Sequence, residues 1–131
     1  MSKPYTTVLV GTDGSETATR AVRRAAEVAA ACGARLIVAF VGDAEQGPLV
    51  LTRATAAVAG IGPPPETRLL AGDPADALLG LAGVEHADLI VVGNKGMAGA
   101  QRFLLGSVPN KISHRAECDV LVAHTTGEYP R

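Results

Sequence analysis

The chain has no tryptophan, and its 131 residues include only two phenylalanines and two tyrosines. Its core must therefore be aliphatic, and an apolar share of 47% supplies enough side chains for one. Cysteine is scarce too. Cys32 and Cys118 lie far apart and form no CxxC pair, which argues against a disulfide framework or a cysteine-rich metal site. Both are expected to be buried, reduced thiols. Excess positive charge is missing: 12 Lys and Arg stand against 13 Asp and Glu, for a net charge of −1. The electrostatic footprint of a duplex-binding protein is absent, so no nucleic-acid partner is expected. No apolar run reaches spanning length, and no charged-then-apolar leader occupies Met1 to Val10. These absences lead to the expectation of a soluble, cytoplasmic protein with no membrane partner. Two familiar phosphate fingerprints, GxGxxG and GxxxxGK[ST], are also lacking.

What is present is a regular alternation of strand and helix signals. A β-branched apolar run at Thr6 to Gly11 predicts a first central strand, and Thr12 to Ser15 turns the chain. Ser15 suits a helix N-cap, and Ala18, Val22, Ala25, Ala29 and Cys32 recur at helical spacing up to Gly33, a C-terminal stop. Arg35 to Val41 predicts a second strand, Pro48 to Ala59 a short helix, and Glu66 to Ala71 a third strand. The glycines and prolines of Gly60 to Pro65 require a loop. Asp73-Pro74-Ala75-Asp76 opens a helix that runs to about Glu85, with cap, N1 proline and early acid in order. Asp88 to Gly93, Val108 to Ala116 and Asp119 to His124 predict a fourth strand, a last helix and a fifth strand. The chain length fits one domain, residues 1–131. The βα alternation implies an α/β fold, with a parallel sheet and helices on both faces.

In such sheets ligands sit beyond the carboxyl ends of the strands, where strand order reverses. Two loops are candidates: Gly11, Thr12 and Asp13 to Ser15 after the first strand, and Gly93, Asn94 to Ser107 after the fourth. The second reads Gly93-x2-Gly96-x9-Gly106-Ser107, between a buried strand and a helix start. Glycines let backbone approach an anion, and a helix start offers unpaired N–H groups with a favourable dipole. Asp13 can accept hydrogen bonds from ribose hydroxyls or an adenine amino group, or it can order an Asx-turn. Ser107 can donate to a phosphate or cap the last helix. Of the cations in or after the loop, Lys95, Arg102 and Lys111, Arg102 is the candidate phosphate contact; a solvated charge is the default for each. Phe103-Leu104-Leu105 reads as an anchor for the loop or a subunit contact. His86, His114 and His124 share no motif with Asp, Ser or Cys, so no catalytic residue and no metal ligand is assigned.

The glycine pattern resembles the nucleotide-binding motif of the universal stress protein family, and the likeness spans nearly the whole chain. It includes Val8-Leu9-Val10-Gly11-Thr12-Asp13-Gly14-Ser15, Gly72-Asp73-Pro74 and Ala87-Asp88-Leu89-Ile90-Val91-Val92-Gly93. Gly106-Ser107-Val108 and Cys118-Asp119-Val120-Leu121-Val122 complete it. The resemblance implies a Rossmann-like, five-stranded parallel sheet in the order 3-2-1-4-5. It implies ATP binding, in the branch that keeps the glycine motif; some members bind cyclic AMP instead. By position, Asp13 and the backbone of Val41 would face the adenosine, Gly93 would lie near the ribose, and Gly96, Gly106, Ser107 and Val108 would hold the phosphates. A Mg or Mn ion would be bound only through those phosphates. The family also implies a homodimer pairing along strand 119–124. Two departures stand out: the segment from Val41 to Glu66 is short for the family, and Pro109 removes one N–H from the last helix's first turn. The expected function is adenine-nucleotide binding in stress response or signalling. The alternatives are a cyclic AMP-binding protein, a nucleotide-independent dimeric scaffold, and a slow ATPase or adenylyl-transferring enzyme.

Overall fold

Aliphatic strands buried on both sides form the centre of the molecule. The computed structural model describes residues 4–94 and 107–124. Its elements run β1 (Thr7–Thr12), α1 (Glu16–Cys32), β2 (Arg35–Val41), α2 (Gly47–Ala57), β3 (Glu66–Leu70), α3 (Pro74–Glu85), β4 (Leu89–Gly93), α4 (Ser107–Arg115) and β5 (Asp119–Ala123). All strand pairs are parallel, and the sheet order is β3-β2-β1-β4-β5.

Strand alternation divides the core in two. Val8 and Val10 of β1, Leu36, Val38 and Phe40 of β2, and Leu89 and Val91 of β4 face α1 and α2. Leu9, Ile37, Ala39, Val41, Ile90 and Val92 point the other way, to Leu78 of α3 and to Val108 and Ile112 of α4. The small residues Ala21, Val22, Ala25, Ala26 and Ala29 let α1 lie close to the sheet. That contact offsets the lack of large aromatics.

The helix punctuation follows the sequence. The Ser15 hydroxyl accepts from the Ala18 N–H at 3.1 Å, and Gly33 closes α1 in the left-handed region at φ 66°. Asp73 caps α3 by accepting from the Asp76 N–H at 2.9 Å. Cys32 and Cys118 are half-buried rather than buried: Cys32 ends α1 and Cys118 precedes β5, each packed against a core cluster.

Two polar clusters hold the amino ends of the strands. The Asp88 carboxylate accepts from the Thr6 N–H at 2.9 Å, the Thr6 hydroxyl at 3.0 Å and the Thr7 N–H at 2.9 Å, which fastens the start of β1 to the start of β4. Burial pushes the Asp88 carboxyl up, but these hydrogen bonds outweigh it and hold it below its ordinary range. Toward the β3 edge Arg35 donates to Glu66 at two contacts of 2.8 Å and to Glu85 at 3.1 Å, and Arg68 reaches the same two acids. The Arg35 guanidinium holds the Glu66 carboxyl down at about 2, with Arg68 adding to the effect. Glu85 is lowered by Arg35 and then Arg68.

A carboxylate depressed in the folded state stabilises the fold above its unfolded pKa and loses that contribution as acid protonates it. The melting temperature is therefore expected to fall as pH drops from about 4.5 toward about 2. Arg35→Gln should flatten that decline, measured by circular dichroism melts at each pH.

Candidate functional site

Each helix of a parallel α/β sheet starts beyond the carboxyl end of the strand before it. Neighbouring strands whose helices leave to opposite faces open a crevice there. In this chain β1 pairs with β4 through Val8–Leu89, Leu9–Ile90 and Val10–Val91. After β1 the chain enters α1 on one face, and after β4 it reaches α4 on the other. The strand order reverses at this pair, which puts the carboxyl end of β1 beside that of β4.

At the end of β1, Gly11 is a packing residue as well as a crevice residue. A Cβ there would stand 2.7 Å from the Leu78 Cδ1, so glycine permits the close approach of α3. Thr12 is buried, and its Oγ1 accepts from the Gly14 N–H at 3.1 Å. Half-buried Asp13 accepts from the Ser15 N–H at 2.9 Å through Oδ1, an Asx-turn that sets the loop. Gly14 has φ 86° and would crowd Val50 if it carried a side chain. Val41 ends β2 with its side chain in the core, leaving its backbone at the strand end, and the following Gly42 N–H donates to the Leu70 carbonyl at 3.0 Å.

On the other side, Gly93 ends β4 opposite Ala123, and the Asn94 N–H donates to the Ala123 carbonyl at 2.8 Å. Ser107 is the first residue of α4, one position before the expected start. Val108 is buried, so it can meet a ligand only through its main chain. Gly96, Arg102 and Gly106, with Lys95, Gly99 and Phe103 to Leu105, lie outside the described residues.

The helix starts differ in their suitability for an anion. Glu16 stands in the first turn of α1, and α3 carries Asp73 at its cap and Asp76 in its first turn. No acid stands in the first turn of α4. The first N–H groups of a helix lack intrahelical partners, and those of Ser107, Val108 and Asn110 remain once Pro109 is discounted. The β1–β4 crevice and an acid-free helix start therefore coincide.

Lys111 differs from the sequence expectation of a solvated charge. Its ammonium lies 2.9 Å from Asp76 Oδ1 and 3.2 Å from Asp73 Oδ2. Its partners come from α3, more than thirty residues earlier, so no local pattern announces the pair. Elsewhere, a groove of about 530 Å³ lies between α3 and the turn into β5, lined by Gly80, Gly83, His86, Arg115 and Cys118 among others. It lies toward the amino ends of the strands, away from the crevice.

Residues 4–124, which span every element above, match the universal stress protein family. The chain belongs to that family. The universal stress protein Rv1636 of Mycobacterium tuberculosis (strain H37Rv) is 41% identical, over 93% of this chain and 98% of the relative. A crystal structure of a universal stress protein in complex with cAMP is similar with a TM-score of 0.83 at 42% identity, covering 93% of this chain and 98% of that one. The universal stress protein from Archaeoglobus fulgidus in complex with dAMP gives 0.74 at 25% identity, over 90% and 97%. Among the described residues, no helix is long and apolar enough to cross a membrane.

Proposed function

We propose that the chain binds an adenine nucleotide in the β1–β4 crevice, with ATP as the ligand and binding rather than turnover as its activity. The observation that carries the reading is the meeting of the reversed strand order with the start of α4, whose first turn carries no acid. Asp13 and the Val41 backbone would contact the adenosine. Gly93 and Asn94 would lie along the ribose, and the amides from Gly96 through Gly106, Ser107 and Val108 would hold the phosphates, with Arg102 as a further contact. A divalent ion accompanying ATP would be held through the phosphates.

A second reading, cyclic AMP as the ligand, is favoured by the cAMP complex of the 42%-identical relative. Titration calorimetry with MgATP, cyclic AMP and GTP tests both. ATP binding without GTP binding supports the first, and equal or tighter cyclic AMP binding replaces it with the second. If none binds, and freshly purified protein releases no nucleotide, the interaction-scaffold reading takes over. AMP or pyrophosphate released faster than by Ser107→Ala would move the protein into the enzyme class.

The reading includes a homodimer in the cytoplasm, serving stress response or signalling. β5 is an edge strand with Val122 39% exposed, and a second copy would cover that edge. Light scattering at micromolar concentration is expected to give twice the monomer mass, and a monomer mass would reject the dimer.

A further inference from the structure

We propose that Lys111 selects for ligand charge: from the second turn of α4 it neutralises Asp73 and Asp76, so that an anion is accepted at the start of the same helix. The inference rests on the nucleotide reading and adds a residue to it.

Two helices begin at the same end of the same sheet face, because α3 follows β3 and α4 follows β4 in a parallel sheet. The start of α3 is closed to anions. Asp73 Oδ2 accepts its Asp76 N–H at 2.9 Å, and Asp76 adds a second acid to that turn. Both acids suit α3 and oppose an anion at the neighbouring helix. The Asp73 carboxyl is held below its ordinary range, first by the Asp76 N–H and then by the Lys111 ammonium.

Lys111 answers the conflict from α4 itself. It follows Ser107 by four residues, about 6 Å along the helix. Its ammonium touches both carboxylates, while Arg115 stands 3.8 Å from Asp76. Two negative charges thus meet two positive ones. Removing Lys111 leaves a net negative charge against the second turn of α4, the helix whose first amides would hold phosphate. Coulomb repulsion grows in proportion to ligand charge, so the penalty should rise from cyclic AMP to ATP.

The test is calorimetry at low salt with cyclic AMP, AMP and ATP on the native protein, Lys111→Gln, Lys111→Arg and Lys111→Gln/Asp76→Asn. Lys111→Gln is expected to weaken cyclic AMP about twofold and ATP about tenfold, with the gap closing in high salt. Lys111→Arg should stay within about twofold of native, and the double variant should recover most of the ATP loss. Should Lys111→Gln not fold, Asp76→Asn alone reads the same effect with opposite sign, tightening ATP more than cyclic AMP. An equal loss for all ligands, or none, reduces Lys111 to a clasp between α3 and α4 and overturns the proposal. If the native protein binds none of the three, the nucleotide reading has failed and the role assigned to Lys111 falls with it.

Discussion

Asp13→Asn is expected to weaken adenine-nucleotide binding by about ten- to hundredfold while leaving the melting temperature unchanged. The substitution separates two roles. The Asx-turn needs one acceptor oxygen for the Ser15 N–H, and an amide oxygen supplies it as well as a carboxylate does. A ribose hydroxyl or adenine amino group donating to the other side of the group would lose a charged acceptor. Hydrogen bonds to charged groups contribute about 1.5–3 kcal/mol, which sets the size of the loss. Asp13→Ala should lose both roles and lower stability as well. Calorimetry beside thermal melts decides the matter. Unchanged or tighter binding by Asp13→Asn would leave Asp13 a turn residue only.

The second large effect is on stability. Leu78→Ala should cost about 2–5 kcal/mol, because it deletes a side chain that is 1% exposed between α3 and the sheet. Denaturant titration would read this as a lower midpoint at an unchanged slope. The same contact predicts non-additivity. Gly11→Ala alone would press a methyl into Leu78 and cost about 1–3 kcal/mol. With Leu78→Ala already in place the methyl enters vacated space, so the pair should be less damaging than the two costs combined. Simple additivity would show that α3 does not depend on the bare backbone at Gly11.

The sequence revealed most where the controlling interactions are local. β2 spans Arg35–Val41 as the sequence predicts, because six consecutive apolar residues follow Arg35. The caps at Ser15 and Asp73 were legible because the acceptor and the N–H it serves are three residues apart. The helix at Gly47–Ala57 has no clean apolar stripe, because Leu49 faces solvent while Leu51 and Ala54 face the core. The long-range partners were not legible. The loop register at Gly11 is tied to Leu78, and Lys111 to Asp73 and Asp76, through contacts that only the assembled sheet creates. The order 3-2-1-4-5 came from family resemblance, since strand alternation alone does not fix which strands are neighbours.

The clasp between Asp88 and the Thr6–Thr7 backbone has a consequence for biosynthesis. Thr7 and its carboxylate partner are 81 positions apart, so at roughly 5–20 residues per second the ribosome adds the second about 4–16 s after the first. During that interval β1 can pair with β2, while its other edge has no β4 to receive it. The nascent chain therefore carries an open valine-rich edge, the kind of surface that chaperones screen and aggregation exploits.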